Sequence, residues 1–133
     1  MRRFLEDERG QAMAELVVGL PVFLLVAILV GWFAWWWWNQ TVAATALTDG
    51  VRASAVQADG YTRAEDILRA GLGSLAEPYR ESLRIWRFPS WRSVFGTISG
   101  ELTVPIVNWR LQVQSSSLQR DEQFYPGPPE DWE

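Results

Sequence analysis

The chain has 133 residues, with 12 basic and 16 acidic side chains for a net charge of −4, and no His or Cys. Every basic residue is Arg. This composition excludes disulfides, thiolate or imidazole catalysis, the usual zinc ligand sets and a Schiff-base or phosphate-gripping lysine. The acidic balance argues against nonspecific nucleic-acid binding. No enzyme activity, cofactor, metal or small-molecule substrate is therefore expected. Mean hydropathy is only −0.08 although 48% of the residues are hydrophobic, so a very apolar stretch must be offset by polar ones.

That stretch runs from Leu16 to Trp38, 23 residues with no charged or polar side chain, interrupted only by Gly19, Pro21 and Gly31. As a helix rising 1.5 Å per residue it is roughly 35 Å long, enough to cross a hydrocarbon core of about 30 Å. A core helix of a soluble domain would show a polar face, and a cleaved secretory signal would have a shorter apolar region. The expectation is a single-pass membrane helix. Arg2, Arg3 and Arg9 precede it, and only Arg52 follows closely. Positive charge stays on the cytoplasmic side, so the N-terminus is expected inside and the C-terminal part outside the inner (cytoplasmic) membrane. Trp32, Trp35, Trp36, Trp37 and Trp38 then form an aromatic belt at the outer headgroup layer, where an amphipathic indole is favoured.

The entry to the span carries the sharpest motif. Arg9-Gly10-Gln11-Ala12-Met13-Ala14-Glu15 leads directly into Leu16-Val17-Val18-Gly19-Leu20-Pro21. A short basic leader, a Gly, four small or neutral residues and a Glu opening an apolar helix resemble the class III signal of type IV pilin-like proteins. Within that superfamily, residues 8–30 are most similar to the TadE-like pseudopilins of tight-adherence (Flp) pilus systems. The similarity is loose around residues 53–56 and absent beyond Gly60. The resemblance implies cutting by a prepilin peptidase between Gly10 and Gln11. It also implies pairing of Glu15 with the freed amine of Gln11 on a neighbouring subunit. Further partners implied by the resemblance are other pilin or pseudopilin subunits and the pilus assembly machinery, with a place in a surface pilus open to the chain. The major Flp pilins place an aromatic after the Glu, whereas Leu16 stands here, which favours a minor role.

Independently of the resemblance, a carboxylate at the edge of a membrane helix costs on the order of 2–3 kcal/mol if drawn to the centre, so a partner is expected for Glu15. Pro21 removes a backbone donor and crowds the carbonyl of Val17, predicting a kink. Loss of residues 1–10 would remove three Arg and three acids, leaving nine Arg, thirteen acids and an unchanged net charge of −4. The alternative reading is an uncleaved single-pass anchor or adaptor with an extracytoplasmic interaction domain.

Past the membrane the helix is expected to continue to Asp59-Gly60. Val42, Ala43, Ala46, Leu47, Gly50, Val51, Ser54 and Ala55 form a small-residue stripe, to be covered by the chain's own C-terminal half or by another subunit. Thr62-Arg63-Ala64-Glu65 fits a capping box opening a second helix through Ile67, Leu68 and Leu72 to Gly73. A strand is expected over 81–88. A better one spans Glu101–Ser115, with a bulge or bend near Pro105–Asn108 because its apolar alternation changes phase there. Gly96 and Gly100 read as turns. The Arg and Trp mixture from Arg84 to Arg92 reads as guanidinium packing on indole within the fold. From Gln119 onward the acidic, Pro-rich sequence reads as a disordered tail.

The fold class expected is thus α+β. It comprises a leader (1–10), a membrane helix with its extension (11–60, span about 16–38), a small extracytoplasmic domain with a short helix and an antiparallel β region (61–118), and a tail (119–133). Residues 62–118 alone would bury only about 60% of their unfolded surface. They should therefore need the helix at 39–58 or a partner as cover.

Overall fold

The computed structural model describes residues 2–56, 58–104 and 108–121, with side chains from Gln11 onward. The expected leader side chains and residues 122–133 of the expected tail lie outside the described set. The elements are α1 (Arg2–Ala55), α2 (Gly60–Leu72), a 3-10 turn (Gly73–Ala76), α3 (Glu77–Ser82), β1 (Arg84–Phe88), β2 (Ser93–Val104) and β3 (Trp109–Arg120). The strands form one antiparallel sheet of order β1-β2-β3, so the fold is α+β as expected. The chain divides into two compact units, one ending at Trp35 and the other beginning at Trp36.

The first unit is helix alone. Every described side chain from Gln11 to Gly31 is exposed, including Leu16, Val17, Phe23 and Val30.

In the second unit the small-residue stripe of α1 forms one side of the core, facing Leu68, Tyr79, Val94 and Ile98 among others. Ala43, Ala46, Leu47 and Val51 are fully buried, and Val42, Gly50 and Ala55 nearly so. The cover comes from the chain itself, which supplies what residues 62–118 lack on their own. Helix α2 runs back along α1. Gly60 meets Gly50 so closely that a Cβ at Gly60 would lie 2.1 Å from the Gly50 carbonyl oxygen, and a Cβ at Gly71 would lie 2.6 Å from a Val42 methyl. Trp38 Nε1–H closes this end by donating to the Gly71 carbonyl at 3.2 Å.

The α1–α2 junction differs from the expectation. Helix α1 stops at Ala55, and Asp59 is the N-cap of α2 rather than part of the stop of α1. Asp59 Oδ1 accepts from the Thr62 amide at 3.2 Å and Oδ2 from its hydroxyl at 2.6 Å. Those hydrogen bonds, the hydroxyl's first, hold the Asp59 carboxyl below its ordinary pKa. Thr62 is thus the capped residue, not the cap, because Asp59 stands at the position where a side-chain oxygen reaches the third helical amide. Glu65, freed from the expected capping box, pairs instead with Arg80 at 3.4 Å and Arg69 at 3.7 Å. Arg80 also meets Glu77 at 2.7 Å, and this contact, with that of Glu65, holds the guanidinium pKa above its ordinary value. Helix α2 ends at Gly73, whose φ of 56° is a left-handed geometry that glycine adopts without cost, as expected.

The sheet departs further. Glu81 and Ser82 belong to α3, so the first strand begins at Arg84. The expected long bent strand is a hairpin. Val104 pairs with Trp109 and Ser93 with Arg120, and the Asn108 amide donates to the Val104 carbonyl at 3.0 Å. Asn108 takes φ 53°, a conformation that Asn tolerates better than most residues. Strand β3 runs to Arg120, beyond the expected start of the tail. Gly96 and Gly100 lie inside β2, not in turns, and face the core among Val94, Ile98, Leu102 and Val104.

Candidate functional site

The expected site residues all lie on α1. The backbone at Gly10 and Gln11 is helical, and Glu15 follows one turn later, exposed, at the start of the apolar run. Pro21 sits inside α1, and the helix continues past it. The segment Gln11–Ala55 contains a window of mean hydropathy 2.7, and none of that window is buried by the protein. It is therefore long and apolar enough to cross a membrane. An uncovered apolar surface of this size is the kind that a membrane-spanning helix presents to lipid. The helical geometry also places the Glu15 carboxylate where that surface begins, so any assembly that draws the span into a bundle must neutralise it.

The Trp run occupies the far end of this segment. Successive residues on a helix point about 100° apart, so consecutive Trp residues surround the axis. Trp32, Trp35 and Trp36 are half-buried, whereas Trp37 and Trp38 are exposed. The Trp36 and Trp37 rings lie 6.5 Å apart and tilted by 60°. Thr41 Oγ1 donates to the Trp37 carbonyl at 2.9 Å, and Thr45 does the same to Thr41 one turn on. Both hydroxyls are thereby satisfied against the helix backbone. Asn39, next to the Trp run, is a polar side chain fully buried in the core.

No cluster of His, Cys, Asp and Glu suited to a metal ion occurs among the described residues. A cleft of about 570 Å³ between α1 and the start of α2 is lined by Asp49, Asp59, Asp66, Arg52 and Arg63. Its carboxylates and guanidiniums are interleaved and it is open to solvent, so it has the character of a solvated helix junction. Thr62 also lines it, and its hydroxyl is held by Asp59 as part of the α2 cap.

These observations place the distinctive features of the chain on one helix. Residues 10–52 match the family model of the TadE-like protein. The match begins at the glycine expected to precede the cut, spans Glu15, Pro21 and the five Trp, and ends three residues before α1 does. The TadE-like segment thus lies within α1 and covers most of it. Neither the curated proteins nor the solved structures give a match to the chain. Helices α2 and α3 and the whole sheet lie outside the TadE-like match.

Sequence reasoning misjudged one group of residues. In the basic–aromatic stretch 84–92, the guanidiniums of Arg84 and Arg87 bond to backbone carbonyls, Arg84 to those of Glu81 and Leu83 and Arg87 to that of Ser54. Trp86 instead stacks on Phe95 across the sheet, and Trp91 lies against Phe88. Strand alternation parts Trp86 from Arg87, whereas Arg84 shares a face with Trp86 and turns its guanidinium back to the carbonyls that precede the strand.

Proposed function

We propose that the chain is a minor, TadE-like pseudopilin that takes part in assembling a tight-adherence, type IV-like pilus. Its expected processing is a cut by a prepilin peptidase after Gly10, leaving Gln11 as the new N-terminus. The match of residues 10–52 to the TadE-like family carries this reading, because it coincides with the one helix that holds Gly10, Glu15 and the apolar span. The role is in the inner membrane, with the N-terminus cytoplasmic and the second unit outside. It is a structural role in which the apolar helix is the assembly surface and the Trp belt sets its depth.

In this account Glu15 selects the register between subunits. Its carboxylate pairs with the freed amine of Gln11 on a neighbour, and two opposite charges in a low-dielectric bundle lower each other's burial cost. Removing one partner of a buried pair leaves the other uncompensated, at a cost of about 3–5 kcal/mol. Glu15→Gln keeps the size of the side chain and removes the charge. Membrane insertion should be unchanged, because a neutral side chain enters the bilayer more easily than an ionised one. Incorporation into the assembled pilus fraction should fall at least about tenfold. Carbonate extraction reads the first quantity and immunoblotting of sheared pili and of crosslinked membrane complexes reads the second. Unchanged incorporation of the variant would refute the charge-pairing role.

A further inference from the structure

The inner face of the sheet is covered by helices, but its outer face carries an aromatic patch with no described element over it. The register sets out that face row by row. Arg84, Thr97 and Ser116 lie side by side, then Trp86, Phe95 and Leu118, then Phe88, Ser93 and Arg120. Trp86 stacks on Phe95 with centroids 5.8 Å apart and planes 16° from parallel. Phe88 meets Trp91 at 6.3 Å. Trp91 is 82% exposed and Leu118 67%. A contiguous apolar surface of this kind usually marks a binding site.

Charge indicates the occupant. Residues 84–120 hold five Arg and one Glu, a net +4 within a chain of net −4. Residues 122–133 hold Glu122, Glu130, Asp131 and Glu133 with no cation, a net −4, and they also carry Phe124, Tyr125 and Trp132. The start of that segment is placed by the fold. The Asp121 amide donates to the Arg92 carbonyl at 2.7 Å, and its carboxylate lies 3.9 Å from Arg87. Arg120 stands in the same row as Phe88, so the chain leaves β3 at the border of the patch. Twelve extended residues reach about 40 Å, comparable with the length of β2. The segment can therefore run back over the outer face.

We propose that the outer face of the sheet binds residues 122–133 of the same chain. The aromatic side chains of the segment lie on the Trp86–Phe95 stack and Leu118. Its carboxylates lie near Arg84, Arg92 and Arg120. Being tethered at Asp121, the segment meets the patch at an effective concentration of order millimolar, so modest contacts suffice. The proposal does not depend on the pilus role, since the sheet lies outside the TadE-like match.

The chain has no Cys, so an engineered pair reports without background. The full chain in detergent carries Ser116→Cys on the exposed outer face and Pro128→Cys in the segment, and is treated with a short bis-maleimide. The proposal predicts efficient crosslinking within the monomer. The yield should fall at least about fivefold when Glu122, Glu130 and Glu133 become Gln and Asp131 becomes Asn, and likewise in about 1 M salt, where the Debye length is roughly 3 Å. Trp91→Ser, which alters only an exposed patch residue, should lower it as well. A yield indifferent to charge and salt would overturn the proposal, since an untargeted tether collides equally often when neutral. A product that is mainly dimer would overturn it also, making a second copy the occupant.

Discussion

Gly100→Ala is expected to lower the unfolding temperature of the second unit by about 10–20 °C. A Cβ at this position would lie 2.2, 2.6 and 2.7 Å from three ring atoms of Tyr79. No real Cβ contact is so short, so one of the two must move. Tyr79 has nowhere to go, being 1% exposed and enclosed beneath the strand. Its burial also pushes the phenol pKa up, and its hydroxyl finds no hydrogen-bond partner among the described residues. Shape therefore holds the ring in place. Overpacking of this kind costs about 2–3 kcal/mol, and each kcal/mol is worth roughly 4–8 °C in a domain of this size. Gly96 repeats the device against α1, where a Cβ would meet Val51 at 2.5 Å and Leu47 at 2.8 Å, both side chains fully buried. The origin of the loss is checked by combining Gly100→Ala with Tyr79→Leu and following thermal unfolding by circular dichroism. The double variant should be less destabilised than the sum of the singles, because the clash requires both partners. Strict additivity would place the cost elsewhere.

The second large effect concerns the exposed apolar helix. Thirteen of the residues from Leu16 to Trp38 are Leu, Ile, Val or Phe. At about −0.3 to −0.6 kcal/mol each, they favour insertion by roughly 4–8 kcal/mol in all. Replacing one central Leu by Arg costs about 3–4 kcal/mol, so Leu24→Arg alone should leave much of the protein inserted. Adding Ile28→Arg, one turn away, doubles the cost and should cancel the driving force. The double variant is therefore expected mainly in the carbonate-extractable fraction, and the single variant largely in the resistant membrane fraction. Full retention of the double variant would mean that the segment is held by something other than its own partition into lipid.

The helices and the sheet were legible in the sequence to different degrees. The long helix was plain because apolar length is a local property, and its small-residue stripe because Ala43, Ala46, Gly50 and Val51 recur at helical spacing. Helix α2 was visible in Leu68 and Leu72, but its start was misread. Thr62 and Glu65 mimic a capping box, while the residue that caps is Asp59. Gly96 and Gly100 were misread for a deeper reason. Each makes room for a side chain distant in sequence, Leu47 and Val51 in one case and Tyr79 in the other, and no local pattern announces such a partner. The phase change between Leu102–Val104 and Trp109–Val113 reads in the sequence as a bulge or a bend. In a hairpin where 104 pairs with 109, even positions face odd ones, so the change of parity is what a strand reversal produces. The outer-face patch is hidden in the sequence because each row takes one residue from each of three strands, and only the register brings Leu118 beside Trp86 and Phe95. The candidate site residues Gly10, Gln11, Glu15, Pro21 and the five Trp all stand along one helix, and their roles are those proposed above.

The central claim is that α1 begins its working life at Gln11, in an assembly of like subunits. N-terminal sequencing of the membrane-bound protein, taken from otherwise matched cells with and without a prepilin peptidase, tests it most directly. The account predicts a chain starting at Gln11 with the peptidase and at Met1 without it, and Met1 in both for a variant with Gly10→Val. A membrane form that starts at Met1 even when the peptidase is present would contradict the pseudopilin reading and leave an uncleaved anchor in its place.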